Sequence, residues 1–133
     1  MPRIITGTAK GIQLKVPQEA RPIGDRAKST IFSVIGPDII GKRILDLYAG
    51  SGSLGLEALS RGAAHCTFVE SSIHAVRIIR ENTERSGLNE RALIIHRKVF
   101  QFLNDQTETY DIVFADPPYN FYKDSSGRAE TII

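Results

Sequence analysis

The chain has no tryptophan, one methionine and one cysteine among its 133 residues. A lone cysteine, Cys66, excludes an internal disulfide and suits a reducing, cytoplasmic setting. Its place in an apolar, β-prone run predicts a plain buried thiol. No apolar run approaches the ~20 residues that a bilayer-spanning helix needs, so no membrane role is expected. The start, Met1-Pro2-Arg3-Ile4-Ile5, lacks the apolar core of a secretory signal. His65, His74 and His96 fall in or beside regular elements and in no spacing that would ligate a metal, so none is expected. Repeats and low-complexity tracts are absent too.

What is present fits one folded domain or part of one, with 41% apolar and 24% charged residues. The net charge of +2 is unevenly spread. Residues 1–28 carry Arg3, Lys10, Lys15, Arg21, Arg26 and Lys28 against only Glu19 and Asp25. A basic front end on a mildly acidic body suggests a polyanion partner, although a solvated basic surface reads the same way.

Short β-type runs at 4–6 and 12–16, separated by Gly7 and Gly11, predict a small hairpin. Asp25 is expected to cap a helix over 26–35, with Ala27, Ile31, Val34 and Ile35 as its apolar face. Gly36-Pro37 ends it. From there strands at 44–47, 65–69, 93–95 and 110–115 alternate with helices at 54–61, 72–86 and 100–103. Ser72 is placed to cap the second of these helices and Gly87 to stop it. Such alternation means a parallel sheet with helical crossovers.

The chain is organised around Asp46-Leu47-Tyr48-Ala49-Gly50-Ser51-Gly52-Ser53-Leu54-Gly55. It follows an apolar strand and leads into a helix, the context in which a glycine-rich turn holds a nucleoside-bearing cofactor. Glu70, at the end of the next strand, is spaced to accept from ribose hydroxyls. After the fourth strand comes Asp116-Pro117-Pro118-Tyr119. Two prolines stiffen the loop, leaving the Asp116 carboxylate and the Pro117 carbonyl as fixed acceptors beside an aromatic ring. Two acceptors can grip the N–H groups of an exocyclic amine on a nucleobase while the ring stacks on the base. Charge that develops on the nitrogen is then stabilised by the carboxylate. If strands one and four are neighbours, both loops open on one crevice.

These residues resemble class I methyltransferases that use S-adenosyl-L-methionine, of the D-P-P-Y, amino-methylating kind. Arg3-Ile4-Ile5, Gly11, Leu14, Arg21-Pro22, Asp25-Arg26, Phe32 and the stretch from Asp46 through Ala63 extend the likeness to the RsmD family. The resemblance implies a Rossmann-like fold and methylation of N2 of a guanine in 16S ribosomal RNA, naked or in an assembling small subunit. It implies an N-terminal hairpin and helix extension over 1–38, facing RNA, and a cofactor-binding domain over 39–133. Asp46, Tyr48, Ala49, Gly50, Ser51 and Gly52 would line the methionine end of the cofactor. Glu70 and Ser71 would hold its ribose side, and Asp116 to Tyr119 the target amine. Arg21, Arg26 and Lys28 are expected on RNA phosphates.

There are departures. Ile23, Lys28 and Ser29 stand where the family tends to have Thr, Arg and Glu. Lys98 replaces a small acidic or amide residue and cannot accept from adenine, so the Val99 amide is expected to make that contact. The family continues beyond the D-P-P-Y loop, which would leave the fourth strand an exposed edge open to self-association or another chain. Rival readings are a cofactor- or RNA-binding module without turnover, an N6-adenine-type methyltransferase and a dinucleotide-dependent oxidoreductase. The oxidoreductase would have no use for Asp116-Pro117-Pro118-Tyr119. A serine hydrolase fails on its motif, because Ser51 stands where the first glycine of the nucleophile elbow belongs.

Overall fold

The computed structural model describes residues 2–18 and 22–117, together with the backbone at 122–123 and 129–130. Its elements run α1 (Asp25–Ile35), a 3-10 turn (Gly36–Ile39), β1 (Arg43–Leu47), α2 (Ser53–Ser60), β2 (His65–Glu70) and α3 (Ile73–Arg85). A second 3-10 turn (Asn89–Arg91) leads to β3 (Ala92–His96), α4 (Val99–Asp105) and β4 (Ile112–Ala115). Two short strands, β5 (Tyr122–Lys123) and β6 (Ala129–Glu130), pair antiparallel, which the sequence reading did not anticipate.

The main sheet has the order β3-β2-β1-β4, and every pairing in it is parallel. Strand β1 is central because it is apolar toward both faces. Ile44 packs with Cys66, Phe68 and Phe114 under α2, α3 and the N-terminal segment. Leu45 and Leu47 point the other way, onto Val69 and the α4 residues Val99 and Phe102. Burying side chains such as Phe68, Leu56 and Ile44 stabilises the fold by roughly 1.5–3 kcal/mol each. Helix α2 lies very close to β2. A Cβ on Gly55 would stand 2.3 Å from the Phe68 ring and 2.6 Å from the Cys66 sulfur, so that position admits only hydrogen. Cys66 is the buried thiol the sequence predicts, and burial pushes its pKa up.

The expected helices and strands form within a few residues of their predicted limits. Ser72 does cap α3, accepting from the Ala75 amide, and Gly87 turns the chain with a φ of +73°. The N-terminal hairpin is reduced to one bridge, Arg3 with Gln13, flanked by hydrogen bonds from the Ile4 amide to Ile12 and from the Leu14 amide to Pro2.

Helix α1 departs in two ways. Gly24, not Asp25, is its N-cap; Asp25 is already helical and pairs with Arg3 at 3.3 Å. Its buried face is Lys28 and Phe32, with Ile31 and Ile35 half-buried, whereas Ala27 is exposed and Val34 is 82% exposed. A lysine can face inward here because a buried glutamate meets it, as described below.

Candidate active site

The register places the two predicted loops together. Leu47 at the end of β1 lies opposite Ala115 at the end of β4, so Asp116 emerges beside the start of the glycine turn. On the other flank Leu47 lies opposite Val69, bringing Glu70 to the same edge. Strand order reverses at β1, and the crevice outside the carboxyl ends of such strands is where open α/β sheets bind ligands. Asp116 is exposed there, with Pro117 half-buried. Pro118 and Tyr119 lie outside the described residues.

Asp46 is 2% exposed, and one of its oxygens accepts from the Gly55 amide at 3.0 Å. It thereby satisfies a first-turn N–H of α2 that has no partner within the helix. Burial raises its pKa most strongly. The Gly55 hydrogen bond opposes that shift, while the negative charges of Asp116 and Glu70 add to it, and the result is about 8. Glu70 uses one oxygen on the Gly50 amide, at 3.0 Å, and the other on the Ser72 amide, at 2.8 Å. The same carboxylate therefore shapes the glycine turn and starts α3.

The turn itself needs unusual backbone. Gly50 and Gly52 have φ of +61° and +81°, and Tyr48, with a side chain, has a φ of +56°. A bulky residue in the left-handed region is strained by roughly 1–3 kcal/mol and is held there by its surroundings. Here those are the Leu45–Phe102 cluster that Tyr48 packs against and the Ala49 amide bonded to the Val69 carbonyl. Ala49 and Ser51 are buried and Ser71 is exposed, its carbonyl 2.9 Å from His96 Nε2. Val99 opens α4, where its amide is among the first-turn donors without a helical acceptor.

Three carboxyl groups with no cation among them in the described residues suit a positively charged ligand. One at a strand end also suits ribose hydroxyls, so the donor set fits a nucleoside that carries a sulfonium. Among the described residues no group of His, Cys, Asp and Glu is placed to hold a metal ion. Two grooves, one beside Thr6, Phe32 and Ile40 and one beside Arg43, His65 and Tyr110, do not touch this corner.

The basic candidates separate. Arg26 is exposed on α1, and Arg21 lies outside the described residues. Lys28 cannot meet RNA phosphates, which corrects the sequence expectation: it is fully buried. Its Nζ donates to the Arg3 carbonyl at 2.6 Å and to Ser53 Oγ at 2.9 Å, and stands 3.2 Å from Glu57 Oε1. Burial pulls the Lys28 pKa down and Glu57 pulls it back. Glu57, also fully buried, accepts from the Ile5 and Thr6 amides and from Arg61 Nε. The Arg61 guanidinium lies over the Phe32 ring, 4.8 Å from its centre. Asn82 was likewise unforeseen. It is fully buried, donates to the Lys15 and Ser51 carbonyls, and accepts from the Lys15 amide. A polar residue on the inward side of a helix was the only advance sign of either.

A family model described as Conserved hypothetical protein 95 matches residues 2–129. Ribosomal RNA small subunit methyltransferase D of Haemophilus influenzae is 39% identical over 124 residues, covering 90% of this chain and 64% of the relative. Its namesake from Escherichia coli is 38% identical, with 88% and 60% covered. The chain therefore spans about two thirds or less of these relatives' lengths. A Thermus protein of known structure, TTHA0928, superposes with a TM-score of 0.82 at 38% identity, over 90% of this chain and 70% of its own.

Proposed function

The chain belongs to the family described as Conserved hypothetical protein 95, the RsmD family, and from that premise we propose that it is an S-adenosyl-L-methionine-dependent methyltransferase acting on 16S rRNA, at the exocyclic N2 amine of a guanine. The observation that carries the reading is the pairing of β1 with β4, which sets Asp116 at the same sheet edge as Asp46, Glu70 and the glycine turn.

Bound S-adenosyl-L-methionine would supply an electrophilic methyl group on a sulfonium. The turn Tyr48, Ala49, Gly50, Ser51 and Gly52, with Asp46 behind it, would hold the methionine end. Glu70 and Ser71 would hold the ribose side, and the Val99 amide would meet adenine. Asp116 and the Pro117 carbonyl accept from the target amine, and Tyr119 offers it a stacking surface. Amine nitrogen gains positive charge as it attacks, so a fixed carboxylate helps the transition state more than the ground state. Holding the base in place supplies the remainder. Arg26, exposed on α1, and Arg21 would meet RNA phosphates.

The test is transfer of labelled methyl groups to 16S rRNA, or to small subunits from cells lacking the gene, followed by nucleoside mass spectrometry. N2-methylguanosine is expected. Labelled N6-methyladenosine would move the target to adenine. Cofactor binding without transfer to either substrate would leave a binding module.

A further inference from the structure

The glycine turn is held from behind by two buried side chains that each also grip the N-terminal segment. Lys28, from α1, bonds Ser53 Oγ at 2.9 Å and the Arg3 carbonyl at 2.6 Å. Asn82, from α3, bonds the Ser51 carbonyl at 2.8 Å and both backbone groups of Lys15 at 2.9 Å. Ser51 and Ser53 flank Gly52, whose positive φ makes it the pivot of the turn. Both side chains are 0% exposed, so water cannot substitute for either. A buried donor that loses its acceptor is costly, so the turn resists moving away from these groups.

We propose that Lys28 and Asn82 are positioning residues which fix the glycine turn in its binding shape, and so set cofactor affinity without touching the cofactor. A purely structural role would lower unfolding stability and leave the folded turn as tight as before. The proposal rests on the cofactor reading above only for its second readout.

The first readout is hydrogen exchange at the Gly50–Ser53 amides of the full, ligand-free chain, below its melting temperature. Lys28→Met and Asn82→Leu should quicken exchange there by about tenfold relative to amides in β2, and Lys28→Arg should restore protection. The second is calorimetric titration with S-adenosylhomocysteine. Affinity should fall about tenfold in the two variants, the scale of one or two hydrogen bonds, and return with Lys28→Arg. Should either variant not fold, Ser53→Ala removes a single acceptor and keeps the Lys28–Glu57 pair. A loss of about threefold in affinity is then expected. Folded variants with wild-type exchange at 50–53 and wild-type affinity would overturn the proposal. If wild type itself ignores S-adenosylhomocysteine while exchange still responds, the positioning role stands and the cofactor reading falls.

Discussion

Two clusters of charge are built into this small domain, and they differ in how they are neutralised. Behind the sheet edge, Glu57 is fully buried but meets Lys28, Arg61 and two backbone amides. At the edge, burial first and then the negative charges of Asp116 and Glu70 raise the cost of ionising Asp46, and the Gly55 amide opposes it. The first cluster is self-sufficient and joins α1, α2 and the N-terminal segment. The second is left with an excess of one sign, which a cationic ligand would relieve. Charge satisfied from within serves the fold, and charge left in excess marks the place for a ligand.

Breaking the self-sufficient cluster should have the largest effect on stability. Glu57→Ala leaves the buried Lys28 without its counter-charge and the Arg61 Nε and two amides without their acceptor, and chemical denaturation should register a loss of about 3–5 kcal/mol. A loss below 1 kcal/mol would mean that water or neighbours replace the carboxylate. In the other cluster, Asp116→Ala should reduce methyl transfer by about 10²–10³-fold and leave stability and cofactor affinity nearly unchanged. An equal loss of cofactor binding would reassign Asp116 from the amine to the cofactor.

The comparison sharpens with pH. The Asp46 pKa is near 3.8 unfolded and about 8 in the fold, so its contribution is fully present below pH 4 and is lost as pH rises toward 8. Wild type should therefore lose stability relative to Asp46→Asn across that window in ligand-free protein, as urea titrations at successive pH values would reveal. A flat difference would mean that Asp46 is already ionised at low pH. The smallest effect belongs to the exposed front. Arg26→Ala should weaken RNA binding modestly and lower the slope of log affinity against log salt by about one, while an unchanged slope would take Arg26 off the phosphates.

How much of this was legible beforehand follows from how local each feature is. The glycine turn, Glu70 at a strand end, the Ser72 cap and the alternation of strand and helix depend on neighbours within a few residues, and all stand in the structure as read. Lys28 was misread because its burial depends on Glu57, which another helix supplies. A basic residue in a basic stretch looks solvated until its counter-charge is seen. The same holds for Val34, expected in the core: the face α1 buries is chosen by where Glu57 and the Phe114 ring lie, and the Phe114 ring centre stands 5.6 Å from that of Phe32. Asn82 meets Lys15 and Ser51, both distant in sequence, so its own helix announces an inward polar residue but not its partners.

The central place of β1 also dictates an order of events during synthesis. Its partner β2 leaves the ribosome soon after it, whereas Ile44 must wait for Ile112 before its other flank closes. Until then the nascent polypeptide has its glycine loop and Glu70 but no Asp116. Of the groups at this edge the Asp116 corner is delivered last, onto a turn and a carboxylate already in place.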